Sequence, residues 1–224
     1  LVSTATDLAQ LSANVAKGTT YSGTYFEMTA NITLNENLLT ADGELNISGT
    51  FYPWTPIGVS DTLHFAGNFD GNDYTVGGIY IDKETSSYQG LFGNVGNGTI
   101  KNIGVVDSYI KGSSFVGGVI GKCLGTVTDC FNSGNVNGTK DYVGGVAGYI
   151  SGTIMNCSSS VSVSGGNASL YSGGIVGYAA ASTTVSDCFN SSSISGNSEV
   201  GSIAGHNEGT VMNCNATDFT VTAN

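Results

Sequence analysis

The chain of 224 residues contains no arginine, only two prolines and few charged residues, which make up 10% of the composition. Six lysines against seventeen acidic residues give a formal net charge of −11. Proteins that bind nucleic acids neutralise phosphates with clustered cations. The lysines here are scattered, so the composition disfavours a nucleic-acid partner and, for the same reason, an anionic membrane surface.

A long apolar run is also missing. No stretch approaches the roughly 18 apolar residues that span a bilayer, so we expect no membrane insertion. Leu1 does not begin a secretory signal peptide. The abundance of Ser, Thr, Asn and Gly favours an extracellular setting. We therefore expect that a signal has been removed and that the chain is part of a larger, multi-module surface protein.

Glycine is abundant, with 34 residues, and much of it lies in a motif that recurs five times. The motif places two apolar residues between two glycines, with Ser202 replacing the first glycine in the last copy. Its closing glycines, 28, 27, 29 and 28 residues apart, are Gly93, Gly121, Gly148, Gly177 and Gly205. A β-prone triplet such as Gly125-Thr-Val127 follows each copy. Three residues after each triplet comes one residue of a matched set: Ile103, Cys130, Cys157, Cys188 and Cys214.

Five matched units of about 28 residues predict a repeat architecture. The units show short β-like pieces and no helical period, and each is too small to bury an apolar face alone. We therefore predict an all-β fold, a right-handed parallel β-helix or β-solenoid. Each coil is expected to turn sharply about three times, with glycine supplying the positive φ angles.

A phosphate-binding loop is the main alternative for a glycine-rich motif. Around Gly121-Lys122 such a loop would need glycine at position 116 and Ser or Thr at position 123. The sequence has Val116 and Cys123 instead, which excludes the motif.

The first residues differ from the repeats. Ser3 to Gly18 places Leu8, Leu11 and Val15 on one helical face, with a Ser or Thr cap before it and a glycine after it. An amphipathic helix would cover the open end of a solenoid, so we predict a capping helix. The predicted single domain, 1–224, comprises a helical cap (1–19), irregular coils (20–85) and five repeats (86–224).

The motifs together resemble the GLUG-motif repeats of bacterial surface proteins. The resemblance is carried by the box Gly90-Leu-Phe-Gly93 and its four relatives, and by the Asn or Asp that precedes each column cysteine. Trp54-Thr-Pro-Ile-Gly58 and Phe69-Asp-Gly71 resemble the segment that often precedes such repeats. The resemblance implies a secreted or cell-surface β-solenoid, in a family mostly classed as adhesins. Similar repeats also occur in non-catalytic regions of immunoglobulin-cleaving peptidases.

We accordingly expect a non-catalytic, adhesin-like binding or display module that recognises a host glycan or an extracellular protein. Two alternatives stay open. Many parallel β-helices degrade polysaccharides with carboxylates gathered in a groove, which here would depend on residues 20–85. The chain could instead be a passive stalk in a larger surface protein, such as an immunoglobulin-cleaving peptidase.

The cysteines are the most obvious candidates for a metal or redox site. Metal ligands converge on one point, whereas Cys130, Cys157, Cys188 and Cys214 would form a linear stack. Parallel side chains about 4.8 Å apart are also too distant for easy disulfide formation. We expect them to be buried free thiols that pack as small apolar residues. Cys123 follows Lys122, which would lower its pKa if the thiol were exposed.

No catalytic, metal-binding or cofactor-binding set stands out elsewhere. His64 and His206 lie in different regions and belong to no known catalytic motif. Asp70 and Asp73 allow weak Ca²⁺ binding, but a turn is the favoured interpretation because Asp, Asn and Gly form turns. We expect neither a metal nor another cofactor.

The residue after each box varies, which indicates an outward position that packing does not dictate. This column contains Asn94, Lys122, Tyr149, Tyr178 and His206. We take Lys122, Tyr149, Tyr178 and His206 as the candidate binding residues, with the tyrosines offering aromatic faces to sugar rings. A second aromatic column, Phe115, Tyr142 and Tyr171, has the alternation of inward residues and is predicted to lie in the core.

Overall fold

The computed structural model describes residues 1–160, 162–217 and 220–223. Short parallel strands form five sheets, and each complete coil contributes one strand to every sheet. The chain is thus a parallel β-solenoid whose coils repeat at about 28 residues, as predicted. Val161, between the Ser160 and Ser162 of one coil, and the C-terminal Asn224 of the predicted last repeat lie outside the described residues.

The predicted helix is present as α1 (Ala5–Ala16). Thr4 and Asp7 form a capping box at its start, and Gly18, with φ of 99°, follows its end. Its apolar side chains Leu8, Leu11 and Val15 are buried in the same cluster as the solenoid core. The helix is twelve residues long, and no helix of the described residues is long and apolar enough to cross a bilayer.

The strands that precede the regular coils are short and unevenly spaced. They are β1 (Tyr25–Glu27), β2 (Ile32–Thr33), β3 (Asn68–Asp70), β4 (Thr75–Gly77) and β5 (Tyr80–Asp82). Residues 34–67, all of them described, contain no named strand, in keeping with the irregular coils expected here.

Five regular coils follow. The first contains β6 (Phe92–Val95), β7 (Thr99–Lys101), β8 (Gly104–Val106) and β9 (Tyr109–Gly112). The second contains β10 (Val116–Gly117), β11 (Ile120–Cys123), β12 (Thr126–Thr128), β13 (Phe131–Asn132) and β14 (Asn135–Gly138). The third contains β15 (Val143–Gly144), β16 (Ala147–Ile150), β17 (Thr153–Met155), β18 (Ser158–Ser159) and β19 (Val163–Gly165).

The last two coils repeat the same plan. The fourth contains β20 (Tyr171–Gly173), β21 (Val176–Ala179), β22 (Thr184–Ser186), β23 (Phe189–Asn190) and β24 (Ile194–Gly196). The fifth contains β25 (Glu199–Gly201), β26 (Ala204–Asn207), β27 (Thr210–Met212), β28 (Asn215–Ala216) and β29 (Val221–Ala223). The second to fifth coils thus have five short strands each, and the first has four.

Equivalent residues of successive coils stack in register and fill the core. Val127, Ile154 and Val185 pair directly across β12, β17 and β22, and each is fully buried. The equivalent side chain of the fifth coil, Val211, is 39% exposed because the described residues place a coil on only one side of it. Burial in the core therefore depends on the neighbouring coils.

The prediction that the recurring glycines supply positive φ angles at the turns was wrong for the closing glycines. None of the closing glycines has a positive φ angle. One left-handed position recurs in all five coils. It is the Asn or Asp before the matched column, with φ of 52–53°: Asn102, Asp129, Asn156, Asp187 and Asn213. These residue types tolerate left-handed backbone through their short polar side chains. The closing glycines are needed because neighbouring backbone approaches them too closely for a side chain.

Candidate functional site

The structure brings the four predicted binding residues into one line. Lys122, Tyr149, Tyr178 and His206 pair in register across β11, β16, β21 and β26. All four are partly exposed, whereas Asn94, the equivalent residue of β6, is buried. The line runs along the solenoid, one residue per coil.

A second aromatic column lies beside the first, and here the core prediction was wrong. Phe115, Tyr142 and Tyr171 are only partly buried, and Tyr88 extends the column by one coil. Phe115 and Tyr142 have left-handed φ angles of 56° and 66°. A left-handed residue interrupts the strict alternation of a strand, so counting residues assigned Phe115 and Tyr142 to the wrong side.

The two columns form one continuous surface, which we call the aromatic face. It consists of Tyr88, Phe115, Tyr142, Tyr171, Lys122, Tyr149, Tyr178 and His206. Rings stack along each column: the Phe115 and Tyr142 centroids are 4.7 Å apart with planes at 18°, and those of Tyr149 and Tyr178 are 5.4 Å apart at 8°. Tyr178 and His206 continue the second column at 4.8 Å and 16°.

The columns also contact each other through ring edges. Tyr142 meets Tyr149 at 87° and Tyr178 at 89°, with centroids 5.8 and 5.5 Å apart. Edge-to-face pairs of this kind stabilise by about 0.5–1.5 kcal/mol beyond burial. Because each ring's faces are turned towards its neighbours, the surface presents ring edges and phenolic oxygens. The tyrosines therefore do not offer the open aromatic faces that the sequence suggested for stacking sugars.

One end of the aromatic face is fixed by an ion pair. The Lys122 ammonium lies 2.6 Å from Asp61 Oδ1 and 5.6 Å from the centroid of the Phe115 ring. The Tyr88 hydroxyl donates to Asp61 Oδ2 at 2.9 Å. The hydrogen bond from Lys122 is the main reason that the pKa of the Asp61 carboxyl lies below its ordinary value.

The opposite end carries two carboxylates. His206 contacts Glu199 through Nδ1, and its Nε2 lies 3.7 Å from Glu208 Oε1. The hydrogen bond to Glu199 raises the pKa of the His206 imidazole. The Tyr178 hydroxyl donates to Glu208 at 2.6 Å, and this bond is the main cause that raises the pKa of Tyr178 to about 12.

Sequence reasoning missed Asp61, Glu199 and Glu208 as parts of this surface. Glu199 could have been found, because it follows Tyr171 in register on the next coil. Asp61 lies sixty-one residues before Lys122 in an irregular segment, and no sequence pattern connects the two.

Three of the four matched cysteines are buried as expected for small apolar residues, whereas Cys214 on the fifth coil is only partly buried. Cys130, Cys157 and Cys188 are at most 2% exposed, and all five cysteines are free thiols. The Cys157 thiol donates to the backbone oxygen of Met155 at 3.2 Å, and the other members make the same contact two residues back. Cys123 is fully buried, and burial raises its pKa to about 12, so Lys122 does not activate it.

The other polar candidates have local partners. Asp70 pairs with Lys101 at 2.8 Å and accepts hydrogen bonds from Asn72 and Asn102, while Asp73 adopts a left-handed turn conformation. These contacts favour the turn interpretation. His64 Nδ1 lies 2.9 Å from the backbone oxygen of Asp61. The described residues contain no cluster of three or more His, Cys, Asp or Glu side chains suited to a metal ion.

Comparison with known proteins supports the repeat assignment. The profile of the GLUG motif family matches residues 141–164 and 196–222. Halomucin of Haloquadratum walsbyi is 32% identical over 132 residues, which are 58% of this chain and 1% of that protein. A protein of Evansella cellulosilytica provisionally assigned as a Gly-rich membrane protein is 33% identical over 78 residues, 33% of this chain and 9% of that protein. The chain thus matches only a small part of each relative.

A solved structure has the same fold over nearly the whole chain. It is a Bacteroides ovatus protein provisionally assigned as an immunoglobulin A1 protease, with a TM-score of 0.66 and 17% identity. The match covers 98% of this chain and 76% of that structure. At this identity the likeness concerns the fold alone.

Proposed function

Because the chain is a GLUG-motif repeat protein with a β-solenoid fold, we propose that it is a non-catalytic binding module of a larger extracellular or cell-surface protein. The names of its relatives, halomucin and a protein provisionally assigned as a Gly-rich membrane protein, support a surface location. Their far greater length supports a role as one module among several. The low proportion of charged residues, 10% of the chain, fits the same setting.

The aromatic face is the observation that carries the binding role. Seven aromatic rings, the His206 imidazole among them, and one lysine are kept partly exposed in two adjoining columns. Tyrosine is enriched where proteins bind partners, because it combines a large apolar area with a hydrogen-bonding group. Other apolar side chains of the coils are also exposed, among them Phe131, Met155 and Phe189, but the described residues form no second stacked column of rings around them.

The ligand class follows from what the aromatic face presents. Ring edges and phenolic oxygens suit an extended partner that lies across several coils, rather than one sugar inserted between rings. The ends carry Asp61, Glu199 and Glu208, which supply hydrogen-bond acceptors. We infer that the partner is an extracellular protein or a glycan chain, contacted along the solenoid axis.

The test is binding of the purified chain to an array of glycans, mucins and extracellular proteins. A variant with Tyr149→Ala and Tyr178→Ala removes the centre of the aromatic face, and Tyr149→Phe with Tyr178→Phe keeps the stack but removes both hydroxyls. Tyr52→Ala is the matched control, because this tyrosine is 82% exposed and outside the face. We expect binding that the alanine pair abolishes and the control retains. Specific binding that survives in the alanine pair would move the site elsewhere, and no binding at all would favour a passive stalk.

The non-catalytic part of the proposal has its own readout. The Bacteroides ovatus protein with the same fold is provisionally assigned as an immunoglobulin A1 protease. The sequence also left open a polysaccharide-degrading β-helix enzyme. The proposal that the chain is non-catalytic would be overturned if the purified chain released reducing sugar from mucin or pectin, or if it cleaved immunoglobulin A.

A further inference from the structure

Tyr25 is an exposed aromatic residue outside the aromatic face, on the sheet that contains β1, β3 and β7. Tyr25 on β1 is 82% exposed, and its ring stacks on no other aromatic ring among the described residues. Unlike the rings of the aromatic face, the Tyr25 ring therefore has a face open to solvent. Open aromatic faces are the surfaces against which the C–H groups of a flat apolar or sugar ring can pack.

The cavity beside Tyr25 has a volume of about 320 Å³ and shares no residue with the aromatic face. Its walls come from three neighbouring strands, β1, β3 and β7, which pair in register. Tyr25, Asn68 and Thr99 form one outward column, and Glu27, Asp70 and Lys101 form the next. The cavity is therefore built by regular strands rather than by an irregular loop.

The polar groups of this cavity are of mixed type. Asn68 and Thr99 contribute an amide and a hydroxyl, and the side chain of neither forms a hydrogen bond with another described residue. Asp70 and Lys101 contribute a carboxylate and an ammonium, whose facing atoms are 2.8 Å apart. Lys101 is 44% exposed and Asp70 30% exposed, so a ligand can reach both. Glu27 lies beside Asp70 in the same column, so the surroundings of the cavity carry one more carboxylate than ammonium groups.

We propose that this cavity is a binding site for a neutral saccharide, with one sugar ring stacked on Tyr25. Sugar hydroxyls both donate and accept hydrogen bonds, which matches the donors of Asn68 and Lys101 and the acceptor of Asp70. Bonds to charged groups are the stronger ones, so the Asp70–Lys101 pair orients the ring. A phosphate or carboxylate ligand would meet the like charges of Asp70 and Glu27 with only Lys101 to offset them, which disfavours those classes.

This site is independent of the aromatic face, because the two share no residue and lie on different sheets. The saccharide site can therefore exist whether or not the aromatic face binds a partner. Its residues belong to the strands before the regular coils and to the first coil. Single sugars are the appropriate probes, since a cavity of this size holds one or two rings.

The experiment is a titration of the full chain with glucose, galactose, mannose and N-acetylglucosamine, followed by NMR of the tyrosine ring resonances. We expect the Tyr25 signals to shift with at least one sugar, and Tyr25→Ala to weaken binding about tenfold, which corresponds to about 1.4 kcal/mol. Tyr25→Phe should retain most of the affinity. Asn68→Ala should weaken it about threefold, the effect of one hydrogen bond.

Two controls make the result decisive. Tyr52→Ala changes an equally exposed tyrosine outside the cavity and should leave the affinity unchanged. The Tyr149→Ala, Tyr178→Ala pair should also leave it unchanged, which separates this site from the aromatic face. The absence of shifts with every sugar, equal affinity in Tyr25→Ala, or binding only of inorganic phosphate or glucuronate would each overturn the proposal.

Discussion

Gly121 lies so close to the first coil that a Cβ atom added to it would sit 2.6 Å from the backbone oxygen of Gly93. The same atom would be 2.5 Å from the backbone oxygen of Phe115. Gly148 and Gly177 have the same relationship to the preceding closing glycine, each with a distance of 2.6 Å. The recurring glycines thus form a line along which adjacent coils approach each other at backbone contact.

Replacing Gly121 with alanine should therefore separate two coils. We expect Gly121→Ala to lower the free energy of unfolding by about 3 kcal/mol, the upper part of the range for overpacking. Gly77→Ala is the matched control, because the nearest atom to its added Cβ is a Val106 methyl group at 3.3 Å. Urea denaturation measures both, and equal stability of the two variants would contradict the close-approach explanation.

The left-handed residues give a second prediction. Asn156 has φ of 53°, a conformation that costs a β-branched residue more than asparagine or glycine. We expect Asn156→Val to destabilise by about 2 kcal/mol and Asn156→Gly by less than about 1 kcal/mol. Asn137→Val on strand β14 is the control, since strands accept valine readily. A valine variant of Asn156 as stable as the glycine variant would show that the backbone conformation is not the constraint.

The cysteine column gives a third prediction. Cys157 is 1% exposed, and its equivalents on adjacent coils are Cys130 and Cys188. Cys157→Asp places an unpaired carboxylate in this apolar environment and should cost on the order of 3–5 kcal/mol, enough to unfold the central coils. Cys157→Ala keeps an apolar side chain and should cost about 1–2 kcal/mol. An unchanged melting temperature of the aspartate variant would refute the packing described for this column.

The pH dependence of His206 is a fourth prediction. Its pKa is raised in the folded chain, chiefly by the hydrogen bond to Glu199. A raised folded pKa means that the stabilisation is fully present below the unfolded pKa of about 6.5 and is lost as the pH rises through the folded value. NMR titration should therefore find more than half of the imidazole protonated at pH 6.5. Glu199→Gln should lower the pKa of His206. Glu36→Gln is the control, because Glu36 does not contact His206, and it should leave that pKa unchanged. An unchanged pKa in Glu199→Gln would contradict the pairing of His206 with Glu199.

The sequence predicted the stacking of coils well, because a repeat of nearly constant length fixes which residues meet. The in-register line of Lys122, Tyr149, Tyr178 and His206 follows directly from that spacing. The prediction that Phe115 and Tyr142 face the core was wrong. Both residues are left-handed, which interrupts the alternation of inward and outward side chains, and counting residues along the sequence does not reveal this. The partner of Lys122 could not be predicted either, since Asp61 belongs to a segment without a repeat.

Coils that contact only their immediate neighbours also determine how the molecule should respond to tension. Each sheet pairs a strand of one coil only with the equivalent strands of the neighbouring coils. Under a stretching force we expect the coils of the purified chain to detach one after another. Each detached coil frees about 28 residues, so the force trace should show regular steps of roughly 90–100 Å of contour length.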